Sequence, residues 1–146
     1  MVQRVLRAEV TVDGDSVAEM GPGLLALVGV GHDDGPSEAD ELARRMVHLR
    51  IFEDETGRMN DSLLANGGTL GVVSQFTLMA DVRKGRRPSF VDAARPEQAE
   101  PLVARVAEAA RALGVPVVTG RFGARMEVAL VNAGPVTLLL DTARRS

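Results

Sequence analysis

Residues 1–30, MVQRVLRAEVTVDGDSVAEMGPGLLALVGV, decide the fold. Residues 2–12 alternate in part (Val5, Glu9, Val10, Thr11, Val12) and read as a strand. Asp13-Gly14-Asp15 is a hairpin-type turn signal, because a tight turn needs residues that tolerate positive φ. Residues 16–20 then return as a second strand. Gly21-Pro22-Gly23 turns the chain again. Residues 24–30 are apolar apart from Gly29, which is how a strand buried on both faces reads. Consecutive hairpins exclude an all-parallel doubly wound sheet.

Helices and further strands follow. Ser37 reads as an N-cap with Asp40 at the third helical position of a capping box. Leu42, Met46 and Leu49 keep helical spacing, so a helix is predicted over 38–50, with Asp40/Arg44 and Glu41/Arg45 as i,i+4 pairs. Ile51-Phe52 starts a short strand, closed by a turn over 53–57. Residues 69–76, after Gly67-Gly68, form a β-rich run. Leu102, Val106, Ala109 and Leu113 mark a second helix that stops at Gly114. Pro96 suits its first position, but Pro101 then removes a hydrogen bond inside it. Residues 115–119, 125–131 and 136–140 read as three more strands. There is no linker, repeat or low-complexity tract. Residues 1–146 are therefore expected to form one mixed α/β domain with two main helices.

Composition narrows the chemistry. The chain has 45% hydrophobic and 25% charged residues, ordinary for a globular protein. It has no cysteine, which excludes disulfides, thiolate metal sites and a cysteine nucleophile. With two histidines, His32 and His48, a three-histidine zinc site is impossible. No apolar run approaches the ~18 residues of a membrane span. The N-terminus alternates and carries charge, unlike a signal peptide. Both features, with the missing cysteines, point to a cytoplasmic protein without membrane contact. Net charge is −3, so nucleic-acid binding must rest on a local patch. Tyr and Trp are absent and aromatics are 3%, which argues against an extended base-stacking platform.

No phosphate-binding GxxxxGK[ST], no GxGxxG and no HExxH occurs. The clusters Asp33-Asp34 and Glu53-Asp54-Glu55 suit a cation or, more simply, solvated turns. Three segments remain. Ser74-Gln75-Phe76-Thr77-Leu78 ends an apolar strand, where hydroxyl, amide and backbone N–H groups can meet an ester carbonyl. The alternative is a strand end with incidental polar residues. Asn132-Ala133-Gly134-Pro135-Val136-Thr137 joins two apolar stretches through a Gly-Pro bond, as a cis-proline device or a plain hairpin turn. Arg83-Lys84-Gly85-Arg86-Arg87, before Pro88-Ser89-Phe90, puts four cations in five residues on an acidic chain. It is a phosphate patch or a solvated loop.

Taken together, SQFTL, RPSF and NAGPVT, in that order and spacing, resemble the D-aminoacyl-tRNA deacylase family. The likeness runs over nearly the whole chain. It includes Gln3-Arg4-Val5, the run GLL, Arg50-Ile51-Phe52 with Gly57-Arg58-Met59-Asn60, and the stretch TGRFGARM ending at Met126. The resemblance implies a small α/β domain of twisted, mostly antiparallel, barrel-like sheets. It implies a homodimer with active sites at the subunit interface, and no metal or organic cofactor. The implied reaction is hydrolysis of the ester linking a D-amino acid, or glycine mischarged onto tRNA(Ala), to the tRNA 3′ end. By the same resemblance, Ser74, Gln75, Phe76 and Thr77 are catalytic, with the N–H groups of Phe76 and Thr77 holding the carbonyl oxygen. Gly134 and Pro135 form a Gly-cisPro wall against L-aminoacyl groups, supported by Arg4 and Asn132. Phe122 and Met126 lie near the terminal adenine or simply pack in the core. The competing reading is a non-catalytic nucleic-acid-binding module built on the basic loop.

Overall fold

The computed structural model describes residues 1–143. Strand β1 (Val2–Val12) pairs antiparallel with β2 (Asp15–Met20) through a turn in which Asp13 (φ 52°) and Gly14 (φ 83°) both take positive φ. That pair of conformations matches the right-handed twist of the two strands. After Gly21-Pro22, β3 (Gly23–Val28) pairs antiparallel with the other half of the same edge of β1. It ends two residues before the predicted run does, and Gly29 to Gly31 leave the sheet.

Helix α1 (Pro36–His48) starts earlier than predicted. Gly35 is its N-cap and Pro36 opens its first turn; Glu38, not Asp40, closes the box by accepting from the Gly35 N–H at 3.0 Å. Proline at the first helical position needs no hydrogen bond there, so the start favours Pro36 over Ser37. Asp40 is drawn away from Arg44 to an ion pair with Arg105, while Glu41 takes both Arg44 and Arg45. A short ladder follows, β4 (Phe52–Glu53) against β5 (Met59–Asp61), and then the one-turn helix α2 (Leu63–Asn66). The sequence reading contains neither β5 nor α2. Both are too short to show a period.

Strand β6 (Thr69–Ser74) lies parallel to β3, and β7 (Val117–Thr119) lies parallel to β6. The crossovers run through α1 and through α3 (Pro96–Ala112). Helix α3 does begin at Pro96 and carries Pro101 inside it. The predicted strands at 125–131 and 136–140 are one strand, β8 (Glu127–Leu138), antiparallel to β1. No hairpin forms at Gly134-Pro135, because β1 continues alongside both halves and supplies partners to each.

The sheet is mixed and mostly antiparallel, and it separates two cores. Alternate residues of β3 face opposite ways. Leu24, Ala26 and Val28 join Ala43, Met46, Val47, Val106 and Ala110 under α1 and α3. Leu25 faces the other side with Val5, Val10, Met20 and Val73, where the sheet curls toward a barrel. This double burial accounts for the unbroken apolar run of residues 24–28.

Candidate active site

Strand β6 delivers Ser74 to the sheet edge opposite Val28, and the Gln75 N–H donates to the Val28 carbonyl at 2.8 Å. The strand then breaks into a single 3-10 turn, Phe76–Met79. Its first hydrogen bond runs from the Leu78 N–H to the Gln75 carbonyl. The preceding donors, the N–H groups of Phe76 and Thr77, have no acceptor among the described residues, as expected at the start of a turn. Two adjacent unpaired donors at an exposed position are what a carbonyl oxygen or oxyanion needs. The predicted strand over 69–76 thus stops two residues early, and the break frees these groups.

The side chains divide the work. Gln75 Nε2 lies 3.1 Å from Thr77 Oγ1. No histidine or carboxylate hydrogen-bonds Thr77 among the described residues. A threonine without a base is a poor nucleophile. Phe76 is 57% exposed, and its ring meets the edge of Phe90 at 5.1 Å between centroids and 72° between planes. The RPSF segment therefore packs against SQFTL, a contact invisible in either segment alone.

Behind the turn, Gly29 leaves room for Leu78 and Met79: a Cβ there would come within 3.1 Å of Leu78 Cβ. The Gly29–Gly31 segment is fastened in turn. The Ala94 N–H donates to the Val30 carbonyl at 2.9 Å, and Gln98 Nε2 donates to the carbonyls of His32 (2.8 Å) and Asp34 (3.1 Å). Sequence reasoning does not find Gln98. It sits in the first turn of α3 and carries no motif, so only the packed loop reveals its use. His32 lies against the Val91 carbonyl and His48 ends α1, and neither is hydrogen-bonded to Thr77.

The second motif is a bulge. Gln3 faces Thr137 and Val5 faces Asn132, so residues 133–136 bow out opposite the single residue Arg4. The Gly134-Pro135 bond is cis and Gly134 has φ +133°. Arg4 Nε donates to the Ala133 carbonyl at 2.9 Å, and its Nη1 donates to the Ile51 carbonyl at 2.7 Å. Asn132 closes the bulge from inside: its Oδ1 accepts from the Val136 N–H at 2.7 Å and its Nδ2 donates to Thr137 Oγ1 at 2.9 Å. Gly134 and Pro135 themselves are exposed.

The two motifs do not meet within one chain. Arg4 pairs with Leu24, Leu24 with Leu70, and Ser74 lies four residues further along β6. Three strand spacings across and four residues along amount to roughly 20 Å over the sheet surface. Phe122 and Met126 also part company, Phe122 packing on the helix-side core and Met126 on the inner core, each half-buried.

The remaining candidates are structural. Asp54 Oδ1 accepts from the Thr56 N–H, the Thr56 hydroxyl and the Arg58 N–H, so its carboxylate holds its own turn. Arg50 hydrogen-bonds Asn60, joining the two halves of the RIF and GRMN pattern. Past the 3-10 turn, Asp81 and Ser89 exchange backbone hydrogen bonds at 2.8 and 2.9 Å, closing a loop over 82–88. The side-chain hydrogen bonds from Arg83, and then its backbone N–H, hold the Asp81 carboxyl down to about 2.

Comparison with known proteins places the chain in a family. The profile of the family described as D-Tyr-tRNA(Tyr) deacylase matches residues 1–141. A D-aminoacyl-tRNA deacylase of Thermomicrobium roseum is 63% identical over 143 residues, 98% of this chain and 93% of its own. One of Paracoccus denitrificans is 55% identical over all 146 residues and 98% of its own length. A solved structure described as a c-Myc DNA unwinding element binding protein superposes with TM-score 0.91 at 39% identity, covering 96% of this chain and 95% of that one. A probable eukaryotic D-amino acid tRNA deacylase shares the fold, with TM-score 0.76 at 18% identity. A family profile covering nearly the whole chain, and relatives above half identity over 98–99% of it, make this chain a member of the D-aminoacyl-tRNA deacylase family of enzymes.

Proposed function

We propose that the enzyme hydrolyses the ester between a D-amino acid or glycine and the 3′-terminal ribose of tRNA, in the cytoplasm, and spares L-aminoacyl-tRNA by exclusion. The single observation that carries the mechanism is the pair of unpaired N–H groups on Phe76 and Thr77. They would bind the ester carbonyl oxygen and bind the tetrahedral oxyanion more strongly, since charge gathers on that oxygen in the transition state.

Thr77 supplies position. Its hydroxyl is tied to Gln75 and has no base beside it among the described residues to take its proton. The ribose 2′-OH beside the ester is then the group that assists attack by water. Water adds to the carbonyl carbon, the bond to the ribose 3′ oxygen breaks, and that oxygen leaves with a proton. The products are free amino acid and tRNA.

The Gly134-Pro135 bulge is the selective element. Its carbonyl oxygens would accept from the substrate α-amino group, and an L side chain would strike the wall. A favourable pocket contact is worth only ~1–3 kcal/mol per methylene, too little to spare an abundant L substrate. A rigid obstacle discriminates further. Arg4 and Asn132 keep it rigid through the hydrogen bonds described above. Because the bulge is about 20 Å from its own Ser74, it would serve the site of a second subunit. Leu6 (54% exposed) and Leu138 (38%), on the strands flanking the bulge, offer apolar surface for such a homodimer. Phe122 and Met126 would border the terminal adenine in the completed site.

The test is release of amino acid from D-tyrosyl-, glycyl- and L-tyrosyl-tRNA. Release from the first two, with the third untouched, is the expected result. The second reading, a nucleic-acid-binding module without turnover, is favoured by the likeness to a structure described as a DNA unwinding element binding protein. It predicts salt-dependent binding and no release from any of the three.

A further inference from the structure

Several of the chain's cations are used internally. Arg4 is bonded to two carbonyls, Arg105 to Asp40, Arg111 to Glu108, Arg44 and Arg45 to Glu41, and Arg50 to Asn60. The loop over 82–88 instead concentrates unpaired cations within four residues. Arg83 forks onto Asp81, Nε to Oδ1 at 2.9 Å and Nη2 to Oδ2 at 2.8 Å. Lys84, the sole lysine of the chain, Arg86 and Arg87 are exposed and make no ion pair or hydrogen bond among the described residues. Gly85 at the tip has open space around it. The fold does not need these three charges.

The loop is nevertheless not adrift. Its base is the Asp81/Ser89 ladder, its first cation is strapped to that base, and the next residue, Phe90, packs on Phe76. A cationic arm is thus fixed beside the two N–H groups of the reaction site. The net charge of −3 repels a polyanion at long range, so phosphate must be gripped locally.

We propose that the loop over 82–88 is the phosphate-binding arm of the site, in which Lys84, Arg86 and Arg87 hold backbone phosphates of the RNA strand just 5′ of the nucleotide that bears the amino acid, while Arg83 is the internal strut. This rests on the tRNA-ester reading above. A half-loop of about four residues reaches ~13 Å when extended, which confines the arm to phosphates near the 3′ end. Such contacts carry no sequence information, which suits an enzyme that must accept many tRNAs.

The test compares the full chain with the triple variant Lys84→Gln/Arg86→Gln/Arg87→Gln on two substrates, D-tyrosyl-tRNA and 3′-D-tyrosyl-adenosine, which has the same ester and no phosphate. On tRNA, KM should rise about tenfold or more while kcat stays within a factor of two. The slope of log KM against log salt should fall by about 2, at roughly 0.7 per single-strand phosphate contact. On the adenosine ester the two proteins should differ by less than twofold. If wild type cleaves both substrates and the triple variant keeps the wild-type KM and salt slope on tRNA, the arm is refuted and the hydrolase stands. If wild type cleaves neither, the hydrolase reading falls and the arm with it. Equal losses on both substrates would also overturn the arm, because the defect would then not depend on phosphate.

Discussion

Gly134 is the residue of the second motif with the least room for change. At φ +133° an L side chain is strained whatever surrounds it, and a Cβ there would come within 3.0 Å of Arg4 Nη2 and 2.9 Å of Val136 Cγ2. Gly134→Ala should therefore push on Arg4 and blur the wall: the D-over-L ratio of kcat/KM is expected to drop at least tenfold with the fold intact by circular dichroism. An unchanged ratio would remove Gly134 from the selective element. Arg4→Ala should leave the carbonyls of Ala133 and Ile51 without their donors, at a cost of about 1–3 kcal/mol for a part-buried group, read from the urea midpoint. Asp81 supplies a pH prediction. Its carboxyl is held down to about 2 by Arg83. A depressed folded-state value contributes stability that is complete above the unfolded value, near 3.9, and is lost as pH falls through about 2. The Asp81–Arg83 fork should thus persist unchanged from pH 5 to 9. A carboxyl carbon resonance for Asp81 that moves within that range would contradict the assignment.

Two elements contain residues that work against or beyond local preference. Helix α3 carries Pro101 five residues after its first position. There it removes a backbone donor and crowds the preceding turn, a penalty of about 3 kcal/mol in a helix interior. Part of that is returned by the restricted unfolded chain. Pro101→Ala should stabilise the protein by about 2 kcal/mol on those two terms, visible as a higher Tm. The 3-10 turn depends on the neighbouring RPSF segment. Phe90→Ala removes an aromatic edge contact of about 0.5–1.5 kcal/mol. Since Phe76 provides one of the two N–H groups, kcat should fall more than KM rises, on tRNA and on the adenosine ester alike.

For the whole molecule, the distance between the two motifs makes assembly testable. One variant damaged at Phe76 and another damaged at Gly134 should each be weak alone. Co-refolded, they would form mixed dimers in which one site carries both lesions and the other none. Random exchange leaves about a quarter of all sites intact in a two-fold assembly. Recovery toward that level supports a wall supplied by the partner subunit; no recovery places both motifs in one chain's site.

The legible part of the protein was its local order. The Asp13-Gly14 turn, the buried run of residues 24–28, both main helices and the three motifs can be read from neighbours in sequence, because turn chemistry and side-chain period are set within a few residues. The motif pattern also carried the family. What could not be read depends on partners far along the chain. Proline at the start of α1 competes with an equally plausible serine cap, and only the packed loop settles the contest for Gly35. The NAGPVT segment looks like a hairpin until β1 is seen running past both halves, which turns it into a bulge braced by Arg4, 129 residues away. RPSF has no meaning until Phe90 meets Phe76. Sequence alone thus determined the main helices, the first hairpin turn and the family motifs, since those follow from short-range sterics and patterning. Tertiary structure decided which strand continues, which cation is a strut and which is free, and which N–H groups lack a partner, because each of those is settled by whether a distant group arrives to make the bond.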